Sequence, residues 1–108
     1  MEHSAPEEAL ASYEKGLTTS PNDPDLHILA VDSCFTLGNF DLGIDHLKKA
    51  VELDKNKAIH WEGIGDFLQQ CGQISDAIVA YEQAYKALPE NVHILKKIGK
   101  CYRETTAA

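Results

Sequence analysis

Three histidines, His27, His60 and His93, recur at intervals of 33 residues, and histidines in register are one route to a shared metal centre. The chain's own period is 34 residues, carried by pairs such as Gly38/Gly72 and Ala50/Ala84. Each histidine therefore falls one position earlier in its own element than the one before, about 100° round a helix. They do not share a face, and no His-x-x-x-His pair exists. Cys34, Cys71 and Cys101 form neither a Cys-x-x-Cys motif nor a Cys/His constellation. All three are expected at apolar helix positions, where a thiol behaves as a small hydrophobe in a reducing compartment. The acids are dispersed, with no segment that would press two carboxylates together for acid–base work. No glycine-rich phosphate loop follows a strand. The expectation is a chain that is not an enzyme and uses no metal or cofactor.

Charge narrows the partner. The formal charge of −7 disfavours nucleic acid, which demands a basic footprint. It is unevenly distributed: residues 1–91 hold sixteen acids and six bases, whereas residues 92–108 hold Lys96, Lys97, Lys100 and Arg103 against Glu104. No apolar run approaches the roughly 18 residues of a membrane span. The opening MEHSAPEEAL lacks the basic and apolar regions of a signal peptide, so a cytoplasmic location is expected.

The positioning elements are helices. SPNDPD (20–25) offers Asp23 as an N-cap, Pro24 at the first helical position and Asp25 in the first turn. LPENV (88–92) repeats the theme with Pro89 and Asn91. LGNF (37–40) and CGQI (71–74) each place a glycine where a helix stops in a left-handed turn. These signals predict six amphipathic helices, at about 5–19, 24–37, 40–53, 58–71, 74–87 and 92–104, and no strands. The 34-residue spacing links Tyr13, Leu47 and Tyr81, and likewise Gly16, Ala50 and Ala84.

In residues 58–91 the pattern resembles the tetratricopeptide repeat, whose helix–turn–helix unit has this length. Trp61, Ile64, Gly65, Leu68, Ala77, Tyr81, Ala84 and Pro89 stand where that family has W, L, G, Y, A, F, A and P. Residues 24–57 follow the frame less faithfully, with His27 for the Trp, Val31 for the Gly, Gly43 for an Ala and Lys55 for the Pro. Residues 5–23 match only a second helix (Ala9, Tyr13, Gly16, Pro21), and residues 92–104 only a first helix (Leu95, Ile98, Gly99, Tyr102). The resemblance implies one domain over residues 1–108, an all-α right-handed superhelical solenoid of antiparallel helix pairs. Small residues at Gly65, Ala77 and Ala84 would let paired helices approach, with Trp61, Leu68 and Tyr81 filling the space between them. Gly63 has no such role.

In the family, the first helix of each repeat lines a concave groove that receives a peptide. That frame places Asp25, Ile28, Asp32 and Thr36 in the groove, then Ile59, Glu62, Asp66 and Gln70, then His93, Lys96, Lys100 and Arg103. The implied function is a non-catalytic adaptor or scaffold holding a partner's peptide, with Glu62, Asp66 and Asp32 as the main contacts and Lys96 and Lys100 as a second set. A groove acidic first and basic last selects a ligand with a basic portion. Relatives that clamp chaperone C-termini use Lys and Asn where this chain has Ile28, Asp32, Glu62 and Asp66, so an EEVD-type tail is not expected to bind. The alternatives are weak homodimerisation through uncapped ends, or a repeat arm of a larger enzyme. The first helix (Ala9, Leu10, Tyr13, Leu17) lacks its own partner helix, and Ile98 and Tyr102 lack a following one.

Overall fold

The computed structural model describes residues 5–106. The first four residues of the opening stretch lie outside them. Six α-helices follow in order: α1 (Ala5–Thr19), α2 (Pro24–Leu37), α3 (Phe40–Leu53), α4 (His60–Gln70), α5 (Ile74–Ala87) and α6 (Val92–Thr106). A 3-10 turn, Lys55–Ile59, takes the start of the expected fourth helix, and α6 runs two residues beyond its expected end. There is no strand among the described residues. The chain divides after Lys57 into two compact units. In the first, α2 packs on both α1 and α3; in the second, α5 packs on both α4 and α6.

Local chemistry sets the helix ends. The Asp23 carboxylate accepts from the backbone N–H groups of Asp25 (3.0 Å) and Leu26 (3.3 Å), with Pro24 at the start of α2. Asn91 does the same for His93 at 3.1 Å. The predicted glycine stops are present in both units. Gly38 has φ 82° and Gly72 φ 81°, and these are the described residues with left-handed φ. Beyond each, Asn39 N–H donates to Cys34 O (2.8 Å) and Gln73 N–H to Leu68 O (2.9 Å), the wide hydrogen bond of a Schellman motif.

In the first unit Ala30, Val31, Cys34, Phe35, Leu47 and Ala50 are buried. Gly43 replaces the family's Ala because Phe35 leaves no room: a Cβ there would lie 2.9 Å from its ring. In the second unit Trp61, Leu68, Tyr81 and Ala77 are buried, as the spacing predicts. A Cβ on Gly65 would lie 2.5 Å from the Tyr81 ring, so the aromatic occupies the space of the missing side chain. A Cβ on Gly63 would meet nothing within 4 Å.

One expectation about the thiols is corrected. Cys34 and Cys101 are buried, but Cys71 is exposed, because it ends α4 ahead of the Gly72 turn instead of facing the core. Burial, with Glu14 second, pushes the Cys34 thiol up to about 11.

The two glycines of α4 separate packing from propensity. Gly65→Ala is expected to destabilise the protein by about 1–3 kcal/mol through the forced shift of Tyr81. Gly63→Ala is expected to stabilise it by up to about 1 kcal/mol through helix propensity alone. Urea denaturation of both variants checks the pair.

Candidate functional site

In the second unit, Glu62 and Asp66 lie one turn apart on α4 and point toward α6. Lys97 of α6 meets both: its Nζ donates to Glu62 Oε2 at 2.7 Å and to Asp66 Oδ1 and Oδ2 at 3.0 and 3.2 Å. Asp66 is further engaged by the Tyr81 hydroxyl from α5, at 2.5 Å, and Gln69 Oε1 lies 3.1 Å from the same hydroxyl. Lys97 Nζ also stands 5.8 Å from the centre of the Tyr81 ring. Three helices thus converge on one cluster of two acids, one lysine and one phenol. Its formal charge is −1, with the tyrosine neutral.

Electrostatics holds the cluster in this charge state. Partial burial by itself would raise the Asp66 carboxyl, but hydrogen bonds from Tyr81 and Lys97 outweigh it and hold the carboxyl below its ordinary value. Burial would lower the Lys97 ammonium, and the Glu62 and Asp66 hydrogen bonds reverse that, raising it. Burial, followed by the Asp66 hydrogen bond, pushes the Tyr81 phenol up, so it acts as a donor throughout the physiological range.

The remaining groove candidates are placed as follows. Lys96 and Lys100 are exposed on α6, and Ile59 is exposed at the end of the 3-10 turn. In the first unit, Asp32 is exposed and Ile28 half-buried on α2. Asp25 binds Lys57 Nζ at 2.6 Å. Both acidic sites therefore carry a counter-ion from the chain itself, Lys57 for Asp25 and Lys97 for Glu62 and Asp66. Neither lysine stood among the groove candidates. Lys97 directly follows Lys96 in α6, and no spacing in the sequence marks its contact with Glu62 and Asp66.

The first unit contains a second polar link that spacing did not reveal. His27 Nδ1 lies 3.0 Å from His46 Nδ1, while His27 Nε2 lies 3.0 Å from Pro21 O. The carbonyl only accepts, so His27 donates through Nε2 and accepts at Nδ1 from His46. His46 Nε2 is 4.0 Å from a Glu14 oxygen, and burial, with His27 second, lowers the His46 pKa. The pair joins α2 to α3 and is structural. His60 and His93 are exposed elsewhere. No group of three or more ligating side chains suited to a metal ion occurs among the described residues.

A tetratricopeptide repeat model matches residues 24–57, the frame inferred for the first full repeat. That segment is a tetratricopeptide repeat. It is 27% identical over 89 residues to the small glutamine-rich tetratricopeptide repeat-containing protein 2 of Mycosarcoma maydis, a match covering 82% of this chain. The chain spans about a quarter of that relative's length (25%). Among solved structures, MamA superposes with a TM-score of 0.70 at 22% identity, over 94% of this chain and 59% of MamA. The first tetratricopeptide domain of Spaghetti (RPAP3), bound to the HSP90 peptide SRMEEVD, superposes with a TM-score of 0.65 at 21% identity, over 94% of this chain and 80% of that one. These likenesses establish the all-α helical-repeat fold. No helix among the described residues is long and apolar enough to cross a membrane.

The depressed Asp66 carboxyl sets a pH dependence. A group with a lower folded than unfolded pKa contributes stability above its unfolded value, about 3.9, and loses it as pH falls through the folded one. Asp66→Asn is therefore expected to lower Tm at pH 7 and to flatten its decline from about pH 4 downward. Thermal melts of wild type and variant across pH 2–7 (roughly the span over which an aspartate titrates) check this.

Proposed function

We propose that this chain is a non-catalytic cytoplasmic adaptor that binds a peptide segment of a partner protein along α4 and α6. The carrying observation is the Glu62–Asp66–Lys97 cluster: two carboxylates at the surface, fixed in place by Tyr81, sharing one internal cation. A lysine or arginine of a bound peptide adds a second cation beside Lys97 and brings the cluster from −1 to neutral. Exposed Lys96 and Lys100 on the same helix then face the acidic side of such a peptide. Within the same unit Ile59 adds an apolar contact, and Asp25, Ile28 and Asp32 of α2 are a separate contact set proposed for the first unit.

The Spaghetti domain supports the general mode, since a chain of this fold there holds the acidic peptide SRMEEVD. The ligand proposed here has the opposite character. The carboxylates of Glu62 and Asp66 repel a peptide rich in glutamate, and their lysine is already engaged. Unpaired Cys34, Cys71 and Cys101 fit a reducing compartment.

Affinity capture comparing wild type with Glu62→Lys/Asp66→Lys tests the site. Glu62→Lys alone is included because it leaves the Tyr81–Asp66 bond in place. The expected result is a partner lost by both variants with unchanged circular dichroism; a partner retained by both overturns the site. Calorimetric titration with the heptapeptide SRMEEVD is expected to give only heats of dilution, and micromolar binding would refute the proposed charge preference.

A further inference from the structure

The two buried imidazoles of the first unit form a chain that runs in one direction. His27 Nε2 lies 3.0 Å from Pro21 O, and His27 Nδ1 lies 3.0 Å from His46 Nδ1. His46 Nε2 is buried without a hydrogen-bond partner and stands 4.0 Å from Glu14 Oε2. The Pro21 carbonyl requires a proton on His27 Nε2, and the short gap between the two Nδ1 atoms holds one proton. Both positions are filled when the rings are neutral. His46 Nε2 then presents a bare lone pair beside a carboxylate, which stabilises neither group. A third proton, placed on Nε2, turns this contact into an ion pair between α3 and α1. A fourth has no place, because two N–H groups cannot face each other across 3.0 Å.

The groups around His46 divide by sign. Glu14 of α1 and Asp45 of α3 favour the charged ring, while burial and His27 of α2 disfavour it. Burial prevails, with His27 second, and the His46 pKa lies below its ordinary value. The Cys34 thiol of α2, which also feels Glu14, is pushed up to about 11 and adds no charge.

We propose that the His27–His46 pair is a one-proton acid sensor of the first unit, admitting a single proton at His46 Nε2 against Glu14 where the unfolded chain admits two. The proton count sets the sign. Below the ordinary histidine pKa, about 6.5, the unfolded pair binds two protons and the folded pair one or none. The first unit therefore has its full stability above that value and loses it as pH falls. Each excluded proton raises the unfolding equilibrium constant about tenfold per pH unit. In the second unit Asp66 is held below its ordinary value, about 3.9, so its cluster keeps its charges while the pair responds. Mild acid thus acts on α2 and its neighbours before it reaches the Glu62–Asp66–Lys97 cluster.

Two measurements on the 108-residue chain test the proposal. Imidazole nitrogen NMR at about pH 7.5 is expected to find His27 protonated at Nε2 alone and His46 at Nδ1 alone. On acidification the two rings are expected to share one step that adds a single proton. Two independent, complete titrations above about pH 5 overturn the proposal. Glu14→Gln removes the charge that receives the proton and is expected to move the shared step to lower pH; an unmoved step also overturns it. Urea unfolding at about pH 6 and about pH 5 compares wild type with His46→Asn. The Asn amide keeps a donor for His27 Nδ1, can turn its oxygen to a protonated His27, and does not titrate. Between the two pH values the wild-type unfolding constant is expected to rise about tenfold more than that of the variant. An equal rise in both overturns the proposal. Where His46→Asn fails to fold, the wild-type and Glu14→Gln spectra decide alone.

Discussion

The close approach of α4 and α5 at Gly65 is the constraint from which the second unit follows. Without a side chain there, the Tyr81 ring lies where a Cβ would be and is wholly buried. That depth brings its hydroxyl to Asp66, and the bond fixes the carboxylate where Lys97 of α6 reaches it. A packing decision between two helices thus becomes a charge arrangement on a third. The first unit solves the same problem with different residues: Gly43 yields to Phe35, and the polar link between helices is the His27–His46 pair.

The helices, their ends and the core were readable because the signals are local or periodic. Asp23, Gly38, Gly72 and Asn91 act within a few residues of themselves, so their chemistry determines their geometry. Trp61, Leu68 and Tyr81 follow from the period that places them on one face. Cys71 escaped because the same period places it beside apolar positions, while its place at the last turn of α4 turns it outward. Gly63 had no packing explanation in sequence, and the structure provides none: its surroundings are open.

The nearness of Glu62 to Asp66 was readable, but not the charge state of the cluster they join. Glu62 and Asp66 project together from α4, as one turn of helix requires. That Lys97 completes them depends on how α6 lies on the preceding helices, a tertiary fact with no spacing rule. The acidic character read from composition is consequently smaller at this point than a count of carboxylates suggests. His46 was missed for a related reason: its bond to His27 joins successive helices across 19 residues, outside any helical or repeat interval.

The paired left-handed turns at Gly38 and Gly72 have a kinetic meaning. Each closes a short loop between adjacent helices through hydrogen bonds no more than five residues long, so little chain entropy is lost before the helices meet. Most contacts then join near neighbours along the chain, the condition under which folding barriers are low. Each helix hairpin is consequently its own nucleus, and assembly can begin in either unit without waiting for the other.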